Sequence, residues 1–245
     1  MREAWYGPFV VVLVLGGSGP AAGQEPAEAP PIREGSAELS FVGTSGNTST
    51  NSLGAGGAIV YRPEEWELTA KTAYVRTRSS AVVSAEAFDT TLRAARSLTP
   101  RVSAFGRYGH LRDRFAGIAH RHGIDAGISV RVVTAERHEL TVNGGAGYSS
   151  ERRVVAPDVS SAVVPLGVLY EVRLSDTARV GNDLAFVASL QDAGDRRFTN
   201  VATLTARLTS QLSLKVSNTA RHLSQPAPDF ESLDTVTAIA LVATF

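Results

Sequence analysis

The stretch Ile-Asp-Ala-Gly-Ile-Ser-Val-Arg-Val, residues 124–132, decides the fold class. Every second residue is apolar, and the residues between are small, polar or charged. Successive side chains of a β-strand point to opposite sides, so this alternation is typical of a strand whose two faces meet different surroundings. It returns at residues 66–74, 140–148 and 212–217. No stretch after residue 35 has the roughly 18 consecutive apolar residues of a transmembrane helix, and no 3.6-residue periodicity is sustained, so the alternation predicts an all-β chain.

The alternating segments follow one another along the whole chain. About twelve are recognisable, near residues 36–44, 51–61, 66–76, 87–97, 101–111, 121–132, 138–149, 162–173, 178–190, 198–209, 212–223 and 234–245. Each is long enough for the roughly 9–11 residues with which a tilted strand crosses a bilayer. Strands of soluble proteins usually have only ~5–6 residues. The segments therefore favour membrane-spanning strands.

The connections between these segments alternate in length. Short ones lie at residues 62–65, 99–100, 135–137, 175–177 and 210–211, and longer, more polar ones at 45–50, 77–86, 112–120, 150–161, 191–197 and 224–233. Bacterial transmembrane barrels have short periplasmic turns and longer external loops. The sequence thus predicts a transmembrane antiparallel up-and-down β-barrel of about twelve strands with both termini in the periplasm.

The two faces of the strands differ as lipid and lumen would require. The apolar face is mostly aliphatic and ends in aromatic residues, which are favoured at membrane interfaces. Those beside short turns are Tyr61, Trp66 and Tyr170, and those near longer loops are Tyr74, Tyr108, Tyr148 and Phe198. The other face is rich in Gly, Ser, Thr and charged residues. This pattern predicts lipid outside the barrel and a polar lumen inside.

Both ends of the chain point to export and membrane assembly. Arg2, the apolar run 9–15 and the small residues Ala21-Ala22-Gly23 read as a signal peptide over residues 1–23. A flexible, proline-containing segment over 24–35 and a barrel over 36–245 are expected to follow. The last strand ends at Phe245, which we interpret as the assembly signal read by the barrel-assembly machinery. The expected location is the outer membrane of a Gram-negative bacterium.

Composition argues against several functional classes. The 24 basic and 24 acidic residues balance, whereas nucleic-acid binding needs a concentrated basic excess, so no nucleic-acid partner is expected. The absence of cysteine excludes disulfides, thiolate metal sites and a lipid-modified N-terminal cysteine. No P-loop and no nucleotide fingerprint occurs, so no cofactor is predicted. Composition does not address the oligomeric state.

Catalytic and metal-binding chemistry finds little support. His120 and His122 share a strand face, but spacing places no third histidine or carboxylate beside them, and two ligands are too few for a closed zinc site. The other histidines, His110, His138 and His222, look isolated. No Gly-x-Ser-x-Gly nucleophile elbow occurs. We therefore expect no metal site, no catalytic residues and no enzyme.

Charged residues on the polar face are the remaining lead. The expected lumen charges are Glu67, Lys71, Asp125, Arg131, Asp183, Arg207 and Lys215. If they pair, they leave a narrow interior; if they line water, they tune the passage of small solutes. Open channels usually need roughly 16–18 strands. The ranking is a structural or envelope-stress barrel with a narrow charged lumen first, a small-solute channel second, and a lipid-acting enzyme third.

Three stretches carry a family resemblance: Gly43–Thr48, Arg112–Ile118 with Arg121, and Leu233–Thr237 continuing to Phe245. With them the chain resembles the salt-induced outer-membrane proteins (YdiY-like), a family defined by domain of unknown function 481. The resemblance implies an outer-membrane barrel and no reaction.

An arginine cluster near the second stretch lies on the predicted external rim of the barrel. Its members are Arg112, Arg114 and Arg121. They either form a salt-bridged rim, the preferred interpretation, or contact lipopolysaccharide phosphates, for which guanidinium groups are suited. For an outer-membrane barrel the expected partners are outer-membrane lipid, lipopolysaccharide and the barrel-assembly machinery.

Overall fold

The computed structural model describes residues 32–44, 50–79 and 82–245. The predicted signal peptide, residues 1–23, lies outside the described residues. Twelve strands and one short 3-10 turn (Arg114–Ala116) form the described chain. The strands are β1 (Arg33–Thr44), β2 (Thr50–Tyr61), β3 (Trp66–Ser79), β4 (Val82–Ser97), β5 (Val102–Asp113), β6 (Ile118–Thr134), β7 (His138–Arg153), β8 (Val159–Arg173), β9 (Ala178–Ser189), β10 (Arg196–Arg207), β11 (Leu212–Leu223) and β12 (Leu233–Thr244). In the part of the chain so described, no helix has the length and apolar character needed to cross a membrane.

Each strand pairs antiparallel with the next, and β12 pairs with β1 to close the barrel. The closing register runs from Ser36 opposite Thr244 to Ser40 opposite Ala240. Gly35 and Phe245 extend it: each backbone N–H donates to the other residue's carbonyl oxygen, at 2.8 and 2.9 Å. The predicted all-β, up-and-down barrel of about twelve strands is confirmed. Phe245 as the assembly signal stays a prediction.

The barrel starts slightly earlier than predicted. Strand β1 begins at Arg33, inside the segment 24–35 that was expected to be flexible. Residues before 36 still have hydrogen-bonding partners: Gly35 lies opposite Ile59 of β2 and forms backbone hydrogen bonds with Phe245. The strand ladder therefore extends towards the N-terminus beyond residue 36. A Cβ on Gly35 would lie 2.5 Å from the Phe245 ring, which suits a residue without a side chain at this seam.

We call the end of the barrel that carries Arg33 and Thr244 the terminal end, and the opposite end the loop end. The terminal end holds the turns 62–65, 98–101, 135–137, 174–177 and 208–211. The loop end holds the described connections 114–117, 154–158, 190–195 and 224–232. The five predicted short turns all lie at the terminal end, but the loop-end connection 114–117 is no longer than most of them.

Several loop-end connections are shorter than predicted. Residues 77–86 were predicted to be a loop, but β3 continues to Ser79 and β4 starts at Val82. Likewise β7 runs on to Arg153. Polar residues do not end a strand whose backbone groups still find ladder partners, and Tyr74 and Glu86 join their side chains across this extension at 3.2 Å. Polarity alone therefore misplaced the strand ends.

The outward face of the barrel is apolar and exposed. Ile124, Leu39 and Leu241 expose 64, 67 and 50% of their surface. Among the described residues, no large side chain is fully buried. A soluble sandwich or barrel would bury this face, since large exposed apolar surfaces mark interaction sites or membrane contact. Trp66 and Tyr148, 46 and 51% exposed, lie near opposite ends of the same outward face, as two aromatic belts require.

Candidate functional site in the lumen

The predicted lumen charges all lie on the inward face. Strand register places Lys71 opposite Ala58, Asp125 opposite Arg107, and Lys215 opposite Ala240, all on one side of the closed sheet. The other predicted members, Glu67, Arg131, Asp183 and Arg207, share that side by register. The chain's only two lysines, Lys71 and Lys215, are thus both in the lumen. Whether these charges govern permeation stays a prediction.

Charge pairs near the terminal end are open to water. Arg62 reaches both Glu34 and Glu67, at 3.3 Å each. Arg179 and Glu171 are 3.9 Å apart and expose 61 and 58% of their side chains. Exposed pairs of this kind contribute little to stability because water competes for both charges. The terminal end of the lumen is therefore accessible to solvent, and we call it the vestibule.

Ion pairs continue through the middle of the barrel. Arg107 Nε donates to Asp125 Oδ2 at 3.0 Å, between neighbouring strands. The Lys215 ammonium donates to the Glu38 carboxylate, which lies two strands away across β12. Asp183 on β9 interacts electrostatically with Lys71 on β3, six positions away around the twelve-strand ring. Opposite charges thus face one another across the interior.

A denser cluster fills the lumen at the loop end. We call it the loop-end cluster; its members are Asp113, Arg121, Glu151, Arg153, Asp195, Arg197 and Arg221. Arg121 Nε donates to Glu151 Oε2 at 2.6 Å, and Arg153 Nε donates to Oε1 at 2.9 Å, so both oxygens of this carboxylate are engaged. Glu151 exposes only 6% of its side chain. Buried charges persist where they are paired in this way.

Two further arginines of the loop-end cluster reach across the barrel. Arg197 on β10 lies 3.3 Å from Asp195 and donates to Ser149 Oγ on β7 at 2.9 Å. Arg221 on β11 lies 3.8 Å from Asp113 on β5. Strands β11 and β5 are six positions apart in a ring of twelve, so this contact spans the lumen.

The connection 224–232 packs over this cluster. A Cβ on Gly117, whose φ is +79°, would lie 3.0 Å from Ala227 and from the Phe230 ring, so the two loop-end connections touch. Arg153 Nη2 donates to the Gln225 carbonyl at 3.3 Å. The Gln225 side chain donates to Asp192 Oδ2 at 2.9 Å and, together with the Gly194 N–H, lowers the pKa of the Asp192 carboxyl. These contacts hold the connection over the mouth.

Between the two ends the wall is incompletely filled. A cavity of about 240 Å³ is lined by Asp89, Arg107, Asp125 and Arg197 among others. Gly109 and Gly123 face each other in register, and a Cβ on either would meet nothing within 4 Å. Buried Asp125 Oδ1 and Ser161 Oγ have no hydrogen-bond partner among the described residues. Buried polar atoms normally have partners, so the wall suits water or a solute.

Three sequence-based expectations change. Arg121 was expected on the external rim, but it lies in β6, faces the lumen and exposes 17% of its side chain beside Glu151. His110 was expected to be isolated, but it lies opposite His122 in the register. With His120 they bring three histidines together, contrary to the expectation of no such grouping. Arg112 and Arg114 are exposed at the loop end, and their contact with lipopolysaccharide stays a prediction.

Most of the loop-end cluster was missed by the sequence analysis. Glu151 and Arg153 lie at residues that were assigned to a loop, because the predicted strand stopped at 149. A signal was present: Ser149, Glu151 and Arg153 continue the spacing of two that marks the inward face. The cross-barrel partners of Arg197 and Arg221 follow only from closure of the ring.

Comparison with known proteins agrees with this architecture. Residues 37–245 match the family described as "Protein of unknown function, DUF481". The chain belongs to this family. The match covers nearly all of the described barrel and confirms the resemblance that the sequence motifs indicated. No functionally curated protein matches the chain.

Solved structures show the same fold at low sequence identity. An outer membrane channel from Pseudomonas putida F1 superposes with a TM-score of 0.54 at 11% identity, covering 91% of this chain and 100% of that one. The NanC porin superposes with a TM-score of 0.51 at 7% identity, covering 86% of this chain and 98% of that one. The chain therefore has a channel-like outer-membrane β-barrel fold similar to porins.

Proposed function

We propose that this protein is an outer-membrane channel of low conductance for small solutes, with its constriction at the loop end and a wetted vestibule at the terminal end. The observation that carries the proposal is the difference in exposure along the lumen. Arg197 and Asp195 of the loop-end cluster expose 13 and 9% of their side chains, whereas Arg179 and Glu171 expose 61 and 58%. Termini in the periplasm would place the constriction at the cell surface.

A non-conducting structural barrel is the second candidate. The loop-end cluster favours it, because Arg221 and Asp113 join opposite sides of the lumen there and the Arg121–Glu151 pair beside them is buried. The incompletely filled wall favours the channel, because the cavity beside Gly109 and Gly123 leaves space that a filled barrel would not have. Electrical measurements on the reconstituted protein distinguish the two.

The location can be tested directly. We expect the protein to fractionate with the outer membrane and to migrate faster in unheated than in heated gel samples, because a closed barrel resists detergent. Its mature N-terminus, read by mass spectrometry, should begin near residue 24. Recovery from the cytosol or soluble periplasm with an unprocessed N-terminus would contradict the proposal.

Charge selectivity tests whether solutes pass through the lumen. Replacing both Lys71 and Lys215 by glutamine should shift the reversal potential in a salt gradient towards cation preference, because carboxylates such as Glu38 and Asp183 then remain in excess. The matched control is Arg112→Gln, which removes a positive charge from an exposed outward position. An equal shift in the control, or none in the double variant, would show that these lysines do not line the conducting path.

A further inference from the structure

We propose that His110, His120 and His122 form a binding site for a divalent transition-metal ion on the outward face near the loop end. The three side chains come from the adjoining strands β5 and β6. His110 faces His122 in the register, and His120 precedes His122 by two residues on the same side of β6. The site lies outside the lumen and is independent of the proposed channel function.

The distances suit one metal ion. One ligand nitrogen from each histidine can be chosen so that all three lie within 4.8 Å of one another. His110 Nε2 and His120 Nδ1 are 3.3 Å apart. Zinc–imidazole bonds of about 2.0–2.1 Å at tetrahedral angles place ligand nitrogens about 3.3 Å from each other. A small adjustment of the His122 ring would therefore complete a three-nitrogen set.

Tyr108 supports the third ligand. Its hydroxyl lies 2.9 Å from His122 Nδ1. With Nδ1–H donating to this oxygen, the lone pair of His122 is on Nε2, the nitrogen left free to bind a metal. Metal-bound histidines usually donate their other ring N–H to such an acceptor, which fixes ring orientation and tautomer. Tyr108 is thus a positioning residue for the site.

The chemistry of the ligands selects the class of ion. Imidazole nitrogens favour zinc, copper and nickel over calcium and magnesium, which prefer oxygen ligands. Three protein ligands leave a fourth position for water or an external ligand, as in zinc sites that are not closed. His122 is exposed on the outward face, whereas His110 and His120 are half-buried. Exposed Arg112 is close by on β5 and opposes cation binding, which argues for affinity below that of a closed structural site.

Calorimetric titration of zinc into the refolded, untagged full barrel in detergent tests the proposal. We expect one ion per chain and at least a roughly tenfold loss of affinity in His110→Ala, His120→Ala and His122→Ala. Tyr108→Phe should weaken binding while keeping one ion per chain. The matched control is His222→Ala, which removes an outward loop-end histidine outside the group, and it should bind as the unmodified protein does.

The decisive variant is His110→Ala, because it leaves only the two histidines of β6. Unchanged affinity in that variant, or absence of zinc binding in the unmodified protein, would overturn the proposal. Faster migration of unheated than of heated gel samples shows that each variant folds. His110→Gln repeats the titration with a side chain closer in size to histidine. X-ray absorption of the zinc-loaded barrel should show nitrogen or oxygen at about 2.0–2.1 Å with the outer-shell signature of three imidazoles. A signature of fewer imidazoles would contradict the site.

Discussion

Replacing Ile239 by arginine is expected to destabilise the inserted barrel by roughly 2–4 kcal/mol, the cost of a lipid-facing arginine near the bilayer midplane. Ile239 lies near the middle of β12, faces outward opposite Val216 and is 51% exposed. Leu241→Arg should cost less, because Leu241 is two residues nearer the terminal end and its guanidinium can reach the interface. The measurement is the free energy of unfolding in lipid vesicles.

The inward neighbour provides the matched control. Ala238 faces Ser217 inside the barrel, where an added arginine meets polar groups and water. Ala238→Arg should therefore cost much less than Ile239→Arg, and Ala240→Ser, beside Ser40 and Lys215, should be milder still. Equal destabilisation by Ile239→Arg and Ala238→Arg would mean that the two faces of β12 are assigned wrongly.

Replacing Arg197 and Arg221 together by serine is expected to raise the conductance several-fold. Both guanidinium groups extend into the lumen, Arg197 towards Ser149 and Arg221 towards Asp113 on the opposite side of the ring. Serine keeps a polar wall and removes the groups that cross the opening. The current through the double variant should also be more cation-selective, because Asp113 and Asp195 lose their arginine partners.

A matched control separates local opening from general loss of charge. Arg179→Ser removes the same type of side chain from an exposed pair at the terminal end, where the lumen is already wetted. It should leave conductance nearly unchanged. If it raised conductance as much as the double variant does, the narrowest point would not lie at the loop end.

The sequence was sufficient for the fold because a barrel repeats one local rule. Each strand alternates between lipid and lumen, so a period of two along residues 124–132 already assigns both faces. Closure of the barrel needs no further residue pattern, because it requires only that β12 pair with β1. The inward charges were predictable for the same reason, since their facing depends on alternation alone.

The site was less predictable because its geometry depends on the closed ring. The contact of Arg221 with Asp113 joins strands that are six positions apart, and no spacing within one strand shows it. The grouping of the three histidines was not predicted for a related reason. His110 lies opposite His122 only because of the register of β5 against β6. Strand ends were also misjudged, because polar residues such as Glu151 continue the ladder beyond the apolar belt.

Single-channel conductance of the refolded, unmodified protein in planar bilayers tests the central claim most directly. The loop-end cluster, with Glu151 and Asp195 exposing 6 and 9% of their side chains, predicts small currents through a barrel open to water at its terminal end. Large, steady conductance would contradict a constriction at the loop end. Complete absence of current, even with Arg197 and Arg221 replaced, would contradict the channel and favour a structural barrel.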